Sequence, residues 1–331
     1  MRSTFVMSNH KSVKKFLISW AAVLVLIVSF VTFSLVAGNR FLSGGNMVNI
    51  LRAMAITTVF GIAATITMAT EEIDLTIGTL ASVSAYIFVS SYLWFGQSLI
   101  MSILICIVGT LIIHQLTMFL VLVCKIPYIL ATVALMFVHQ GLGQWYIGGG
   151  AVSTGMNTPW GAAPLRTHLS YSFSAIGRAP WIIIIMLGCV LVVYLFLSFT
   201  KHGRYLYAIG SNKEAAKLSG IDIKKNRYLA GILTAVFIAI GGIIVASRSS
   251  SAQVMSCDNY LMPALAAVFI GRSVGGAEKP HALGTMIGAM LVSTLENGLT
   301  IIAVPFFVLP AVKGAVMALA LISAYASKKE D

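Results

Sequence analysis

"GRYLYAIGSNKEAAKLSGI", residues 203–221, is the polar interruption from which the rest of the chain is read. The surrounding chain is 58% hydrophobic and only 10% charged, with a mean hydropathy of +0.93. Soluble domains carry about a quarter charged residues. The surroundings are therefore apolar enough for lipid, and this stretch is not. Ser211 and Glu214 have the S-x-x-E spacing of a capping box, in which the serine accepts from the Glu214 N–H and the glutamate reaches back. Ala215, Ala216 and Leu218 favour helix. Gly220 is placed to end it in a left-handed turn. The spacing predicts a helix over about 211–219, roughly two turns long, inside a polar loop at 201–227. Ala215 and Ala216 keep one side thin, which suits insertion into another protein's groove. The alternative is a helix lying on anionic lipid.

Working outward, apolar runs flank this loop on both sides. Phe16 to Val36 holds no charge and is long enough to cross a hydrocarbon core of about 30 Å. Trp181–Thr200, Tyr228–Ser247, His281–Val304 and Phe306–Ala326 are comparable, the last interrupted only by Lys313. Met47 to Ile147 is a near-continuous apolar block that divides into about four spans, and a weaker span lies near Tyr260–Gly271. The reading is an all-α integral membrane protein of about ten transmembrane helices, one domain over residues 1–331. The short alternating strands of a membrane barrel are not seen. Met1 to Lys15 is basic like the start of a signal peptide. The apolar run after it, about twenty residues, exceeds an ordinary signal core and reads as a retained first helix.

Charge sets orientation. Arg2, Lys11, Lys14 and Lys15 precede the first span. Lys201, Arg204, Lys213, Lys217, Lys224, Lys225 and Arg227 crowd the central loop, and Lys328 and Lys329 close the chain. The positive-inside rule makes all three clusters cytoplasmic, hence both termini, with about six helices before the loop and about four after it. Lys125, Arg272 and Lys279 then also fall inside. The segment 148–180, with only Arg166 and Arg178, falls outside. The net charge of +12 is thus mostly topology, and basic residues dispersed between spans argue against a nucleic-acid partner. Cys106, Cys124 and Cys189 lie in or beside apolar spans and Cys257 in an outer loop, with no metal-ligand spacing.

Four segments carry a resemblance. "FLSGGNMVNILRAMAITTVFGIAATITMATEEIDLTIGTLASVSA" (41–85) resembles a segment ending at an (S/T)-G-G-I-D-L-S-V-G turn. "KIPYILATVALMFVHQGLGQWYIGGG" (125–150) resembles I-P-S-F-I-x-T-L-G and the R-G that follows it. Residues 203–221 resemble G-R-x-x-Y-A-I-G-G-N-x-x-A-A-x-x-S-G-I, the most specific of the set. "ALAAVFIGRSVGGAEKPHALGTMIGAMLVSTLENGL" (264–299) resembles A-A-V-V-I-G-G-T-S-L-x-G-G-x-G-x-x-x-G-T-x-x-G-A and a closing N-G-L. Together they make the chain similar to ABC-transporter permeases of the ribose-permease type. The resemblance implies that the central helix couples the chain to an ATPase, through Gly203, Arg204, Ser211, Asn212, Glu214, Ala215, Ala216 and Gly220. The chain has no G-x-x-x-x-G-K-[ST] phosphate loop, so the ATPase is a separate protein. The resemblance implies two fused nucleotide-binding halves in that partner, which uses the ATP and Mg, and no cofactor on this chain. It further implies a second permease subunit, a solute-binding protein, a bacterial inner-membrane location and a pseudo-repeat of helices two to five against seven to ten. "GTMIG", with Gly284 and Gly288 four apart, reads as a close helix contact.

The departures locate the open questions. Glu71-Glu72 stand where the family has paired glycine. Either both are solvated at the cytoplasmic surface, or one meets the solute or a neighbouring subunit. Asp74 suits the start of the next helix. Gly271-Arg272 replaces the second glycine pair and is expected to face the ATPase or lipid headgroups. Gln140 stands where the family has arginine. The solute expected from the resemblance is a sugar or sugar-like molecule. Phe60, Glu72, Asp74, Gln140, Gln144, Trp145 and Asn297 are the candidates for its pathway, with ordinary packing as the alternative for each. Tyr128, Trp160 and Trp181 read equally well as interfacial anchors. Two rival classes are an ion-gradient transporter, to which Glu71, Glu72 and Asp74 would belong, and a membrane enzyme. The enzyme is disfavoured because His114 and His139 have no carboxylate near them in sequence and fall on opposite sides of the membrane.

Overall fold

The computed structural model describes residues 2–276 and 278–305 and scattered positions from 307 to 318, with side chains from Trp20 onward. Most of the span expected at Phe306–Ala326, and the charges after it, lie outside the described residues. The chain opens with α1 (Arg2–Ala37), a single turn α2 (Asn39–Leu42) and the long α3 (Gly44–Met68). The block after it forms α4 (Ile77–Leu93), α5 (Leu99–Leu122) and α6 (Tyr128–Tyr146). A strand, β1 (Ala151–Ser153), and the short α7 (Tyr171–Ala175) precede α8 (Trp181–Phe199). The polar stretch makes α9 (Lys201–Ser211) and α10 (Lys213–Leu218), and α11 (Ile223–Ser249) leads to β2 (Ser251–Gln253). The last elements among the described residues are α12 (Leu261–Arg272) and α13 (Ala282–Ile301). Among the described residues the fold is all-α apart from β1 and β2, which pair antiparallel with Val152 opposite Ala252.

Among the described residues, five helices are long and apolar enough to cross a membrane: α1 from Trp20, α3, α5, α8 and α11. Burial sorts them. Of the apolar window of α3, 83% is inside the bundle, and of α11 72%, against 22% for α5 and 33% for α8. A helix apolar all round and buried all round is a bundle centre. Accordingly α3 packs against α8, α11, α12 and α13, while α5 and α8 present apolar faces outward.

Between apolar helices in lipid, close packing and interhelical hydrogen bonds replace the hydrophobic effect. A Cβ on Gly284 would lie 2.2 Å from Gly271 O, and one on Gly288 2.1 Å from Ala267 O. The α12–α13 contact is therefore backbone against backbone, as the small-residue spacing predicts. Thr65 and Thr285 hydroxyls meet at 2.6 Å across α3 and α13. Ser84 and Thr110 meet at 2.7 Å across α4 and α5.

Two segments break the helical pattern at depth. α12 has 12 residues. That rises about 18 Å, well short of the core thickness, so the span expected near Tyr260–Gly271 is a half-helix. Residues 254–260 before it reach down into the bundle. Cys257, expected in an outer loop, is fully buried, and a Cβ on Gly78 would lie 2.9 Å from Asp258 Cα. The other break is 69–76, between α3 and α4. Non-helical backbone among packed helices survives only where protein or a cavity surrounds it, and the 254–260 break lies against α4, where Gly78 approaches Asp258.

Candidate functional site

Among the described residues, three places carry the polar chemistry: the α9–α10 surface, the turn at 69–76, and the meeting of α4 and α6 with the 254–260 break.

The first is where the 203–221 motif lies. Thr200 starts α9 by accepting from the Gly203 N–H (3.0 Å). Gly203, Leu206 and Ile209 face the bundle, a stripe at three-residue spacing. Arg204 is exposed. α9 runs through Ser211, so the predicted capping box does not form. The cap of α10 is Asn212, whose side chain accepts from the Ala215 N–H at 2.9 Å. Its extended backbone (φ −156°, ψ 104°) makes the corner between the helices. Gly220 ends α10 at φ +79°, donating to Lys217 O while Ile221 donates to Ala216 O. That pair of hydrogen bonds is the turn a glycine there was expected to make. Ala216 is 4% exposed and packs on its own chain, correcting the expectation that it offers a thin face to a partner. The outward face carries Lys213, Glu214, Ala215, Lys217 and Leu218, the last 88% exposed.

α9 is fastened to the inner ends of the membrane helices. A Cβ on Gly210 would lie 2.4 Å from Ala69 O. The Tyr207 hydroxyl donates to Pro280 O at 2.7 Å, ahead of α13. The His202 ring meets Asn226 of α11 at 2.8 Å.

The second place is the turn that α9 touches. Glu72 is bound by Arg227 of α11 through two nitrogens, one of them Nε at 3.1 Å from Oε2. Arg272 at the end of α12 donates to Glu71 at 2.9 Å. Both glutamates are ion-paired within the chain, Glu71 while remaining half exposed and Glu72 more enclosed. Asp74 is fully buried. Its Oδ1 accepts from both the N–H (2.8 Å) and the hydroxyl (2.6 Å) of Thr76, an Asx-type turn that precedes α4 without capping it. Its Oδ2 lies 3.4 Å from His114 Nε2 and 3.4 Å from the Tyr128 hydroxyl. Tyr128 is thus buried in the bundle, and the histidine that has no acid near it in sequence has one in space.

The third place joins α4, α6 and the 254–260 break. Asp258 accepts from the Ser82 hydroxyl at 2.9 Å and from the Gln140 amide at 3.0 Å. The Cys257 N–H donates to Ser82 and the Met255 N–H to the Tyr86 hydroxyl. With Thr79 and His139 these residues line a narrow crevice. Of the pathway candidates, only Gln140 is in it. Gln144 and Trp145 are exposed on the outside of α6. Phe60 is enclosed in the core against Tyr260. Asn297 forms a reciprocal amide pair with Asn46, at 2.9 and 3.0 Å. The sequence reading missed Asp258 and Ser82. A lone acid between two apolar spans was the available signal.

The chain is similar along its length to permeases. Residues 46–325 match the family model described as branched-chain amino acid transport system / permease component. The ribose import permease protein of Escherichia coli K12 is 27% identical over 325 residues, covering 97% of this chain and 98% of its own. The ribose import permease protein of Bacillus subtilis 168 is 30% identical, covering 91% and 89%. The xylose transport system permease protein of Haemophilus influenzae is 27% identical, covering 93% and 95%. No solved structure matches the chain. The chain belongs to the branched-chain amino acid transport system / permease component family.

Proposed function

We infer that this chain is the transmembrane permease subunit of an ATP-driven importer of a sugar or sugar-like solute, a multi-pass protein of the bacterial inner membrane. The observation that carries the reading is the end-to-end similarity to ribose and xylose permeases. The geometry supports it. α9 and α10 form a polar outcrop whose most exposed apolar residue is Leu218, on ties to α11, to the turn at 69–76 and to the segment before α13. A partner ATPase closing on that outcrop pushes on three parts of the bundle at once. The chain does not hydrolyse ATP in this reading. Its companions are an ATPase with two nucleotide-binding halves, a second permease subunit and a solute-binding protein, in about ten spans with both termini cytoplasmic. Glu71, Glu72 and Asp74, each partnered, support a structural role over ion coupling.

The test is to purify the tagged chain from its native membrane and identify its companions, then reconstitute uptake. Co-purification of a phosphate-loop ATPase, with ATP-dependent uptake of D-ribose or D-xylose, is expected. Leu218→Asp should weaken that co-purification. A chain that comes alone and takes up solute on an ion gradient without ATP would overturn the reading.

A further inference from the structure

The crevice between α4, α6 and the 254–260 break has features that packing does not account for. His139 is 1% exposed, lines the crevice, and neither of its ring nitrogens has a hydrogen-bond partner. A buried polar group without a partner is costly and is retained for a reason. Polar side chains converge around it at membrane depth, where they are functional by default. Thr79, Ser82 and Tyr86 stand on one face of α4 at spacings of three and four. Gln140 is beside His139 on α6, and Asp258 faces both helices from the break before α12. Membrane transporters place solute sites where helices are broken near the midplane.

We propose that His139, Gln140 and Asp258 form a solute site that recognises the hydroxyls of a neutral polyhydroxylated molecule. This rests on the permease reading above. A neutral imidazole offers one donor and one acceptor, the Gln140 amide donates and accepts, and a carboxylate accepts at both oxygens. Adjacent hydroxyls on a sugar need that alternation. Asp258 already holds two donors, Ser82 and Gln140, so its charge is met by hydrogen bonds and does not call for a cationic solute. The crevice is narrow here because the Gln140–Asp258 bond bridges it. When the pathway opens, a solute exchanges its own hydroxyls for that bond and gives His139 the partners it lacks.

The test is uptake by the reconstituted complex, with saturating binding protein, of D-ribose, D-xylose and 2-deoxy-D-ribose, alongside thermal unfolding in detergent. His139→Leu removes an unpartnered polar group, so its unfolding midpoint should equal or exceed that of the unaltered chain. Its ribose uptake should nonetheless fall at least tenfold. His139→Asn should restore part of the rate. Gln140→Leu should change the ratio of ribose to 2-deoxyribose uptake at least threefold, whereas Gln144→Leu, one turn further along α6 and exposed, should change neither. If His139→Leu assembles with the ATPase and transports all three sugars normally, the site is wrong. It is equally wrong if lost uptake comes with a lowered unfolding midpoint and no change of sugar preference in Gln140→Leu. No ATP-driven uptake by the unaltered complex would instead remove the permease reading, and the site with it.

Discussion

Gly210→Ala is the sharpest probe of how α9 is joined to the membrane helices. The added Cβ would lie 2.4 Å from Ala69 O and 3.2 Å from both the carbonyl carbon and Cα of Thr70. All three atoms are backbone, so no flexible side chain gives way. Comfortable contact needs about 3.5 Å, so α9 must retreat from the turn by roughly 1 Å. Two effects oppose. Alanine improves helix propensity by about 1 kcal/mol, while overpacking of this kind costs about 1–3 kcal/mol. The net loss of stability is small, about 0–2 kcal/mol, and the chain should still fold. The displacement, however, falls on the turn that carries Glu71 and Glu72. The expected result is more ATP hydrolysed per solute moved in proteoliposomes, with the ATPase still bound. Gly188→Ala in α8 is the control, since a Cβ there meets nothing within 4 Å. A Gly210→Ala complex with unchanged stoichiometry and uptake would refute the idea that α9 acts on the turn by contact.

Other expectations separate neighbouring explanations. Asn212→Ala should destabilise α10 by about 0.5–2 kcal/mol and Ser211→Ala much less, read by amide exchange across 213–219. Equal effects would restore the capping box. Arg227→Ala leaves the largely buried Glu72 carboxylate unpaired, so it should cost about 3–5 kcal/mol in detergent unfolding. Glu72→Gln should cost less, because an amide needs no counter-charge. His281 should make the start of α13 acid-sensitive. Its Nδ1 accepts from the Gly284 N–H and its Nε2 meets Val274 O, an arrangement that requires the neutral ring. Burial lowers its pKa from 6.5. A lowered histidine contributes stability that is whole above the unfolded value and is lost as pH falls through the folded one. The unfolding midpoint should therefore drop below about pH 6.5, and His281→Asn, which can still cap, should flatten that dependence.

The helical membrane fold was legible because lipid imposes a coarse demand, about twenty apolar residues per crossing. α1, α3, α8 and α11 satisfy it with few charges. α12 was only half legible, since its 12 residues are apolar enough to suggest a crossing and too few to make one. α9 was missed as a helix because its glycines and β-branched isoleucine lower local propensity. Burial of Leu206 and Ile209 and the close fit of Gly203 and Gly210 override that. Once α9 extends through Ser211, Asn212 must be the cap, so one unseen helix moved the predicted box by one residue. The buried polar contacts were illegible for another reason. Asp74 is 40 residues from His114, and Gln140 is 118 from Asp258. Residue types announce a need for partners, but the fold chooses which partners meet.

That choice places one helix between the inner ties and the crevice. α4 begins at Ile77, just after the Asp74–Thr76 turn, which follows Glu71 and Glu72. The same helix presents Thr79, Ser82 and Tyr86 to the crevice. Its start is pinned to the second break by the Gly78–Asp258 approach. Its side is pinned to α5 by Ser84–Thr110, and its far end to α6 by Ser90–Tyr146 at 2.8 Å. A rigid helix held this way cannot shift at its base without shearing the crevice wall. The ion pairs carry the same motion to α11 and α12, which supply the other wall through residues 254–260. Packed elements of this kind switch between arrangements instead of deforming gradually. A push on α10 is therefore expected to act on the Gln140–Asp258 bond as a whole, breaking or forming it. Cysteines at 140 and 258 should cross-link in one nucleotide state of the partner and resist cross-linking in the other. Equal cross-linking in both states would mean that α4 does not carry the motion.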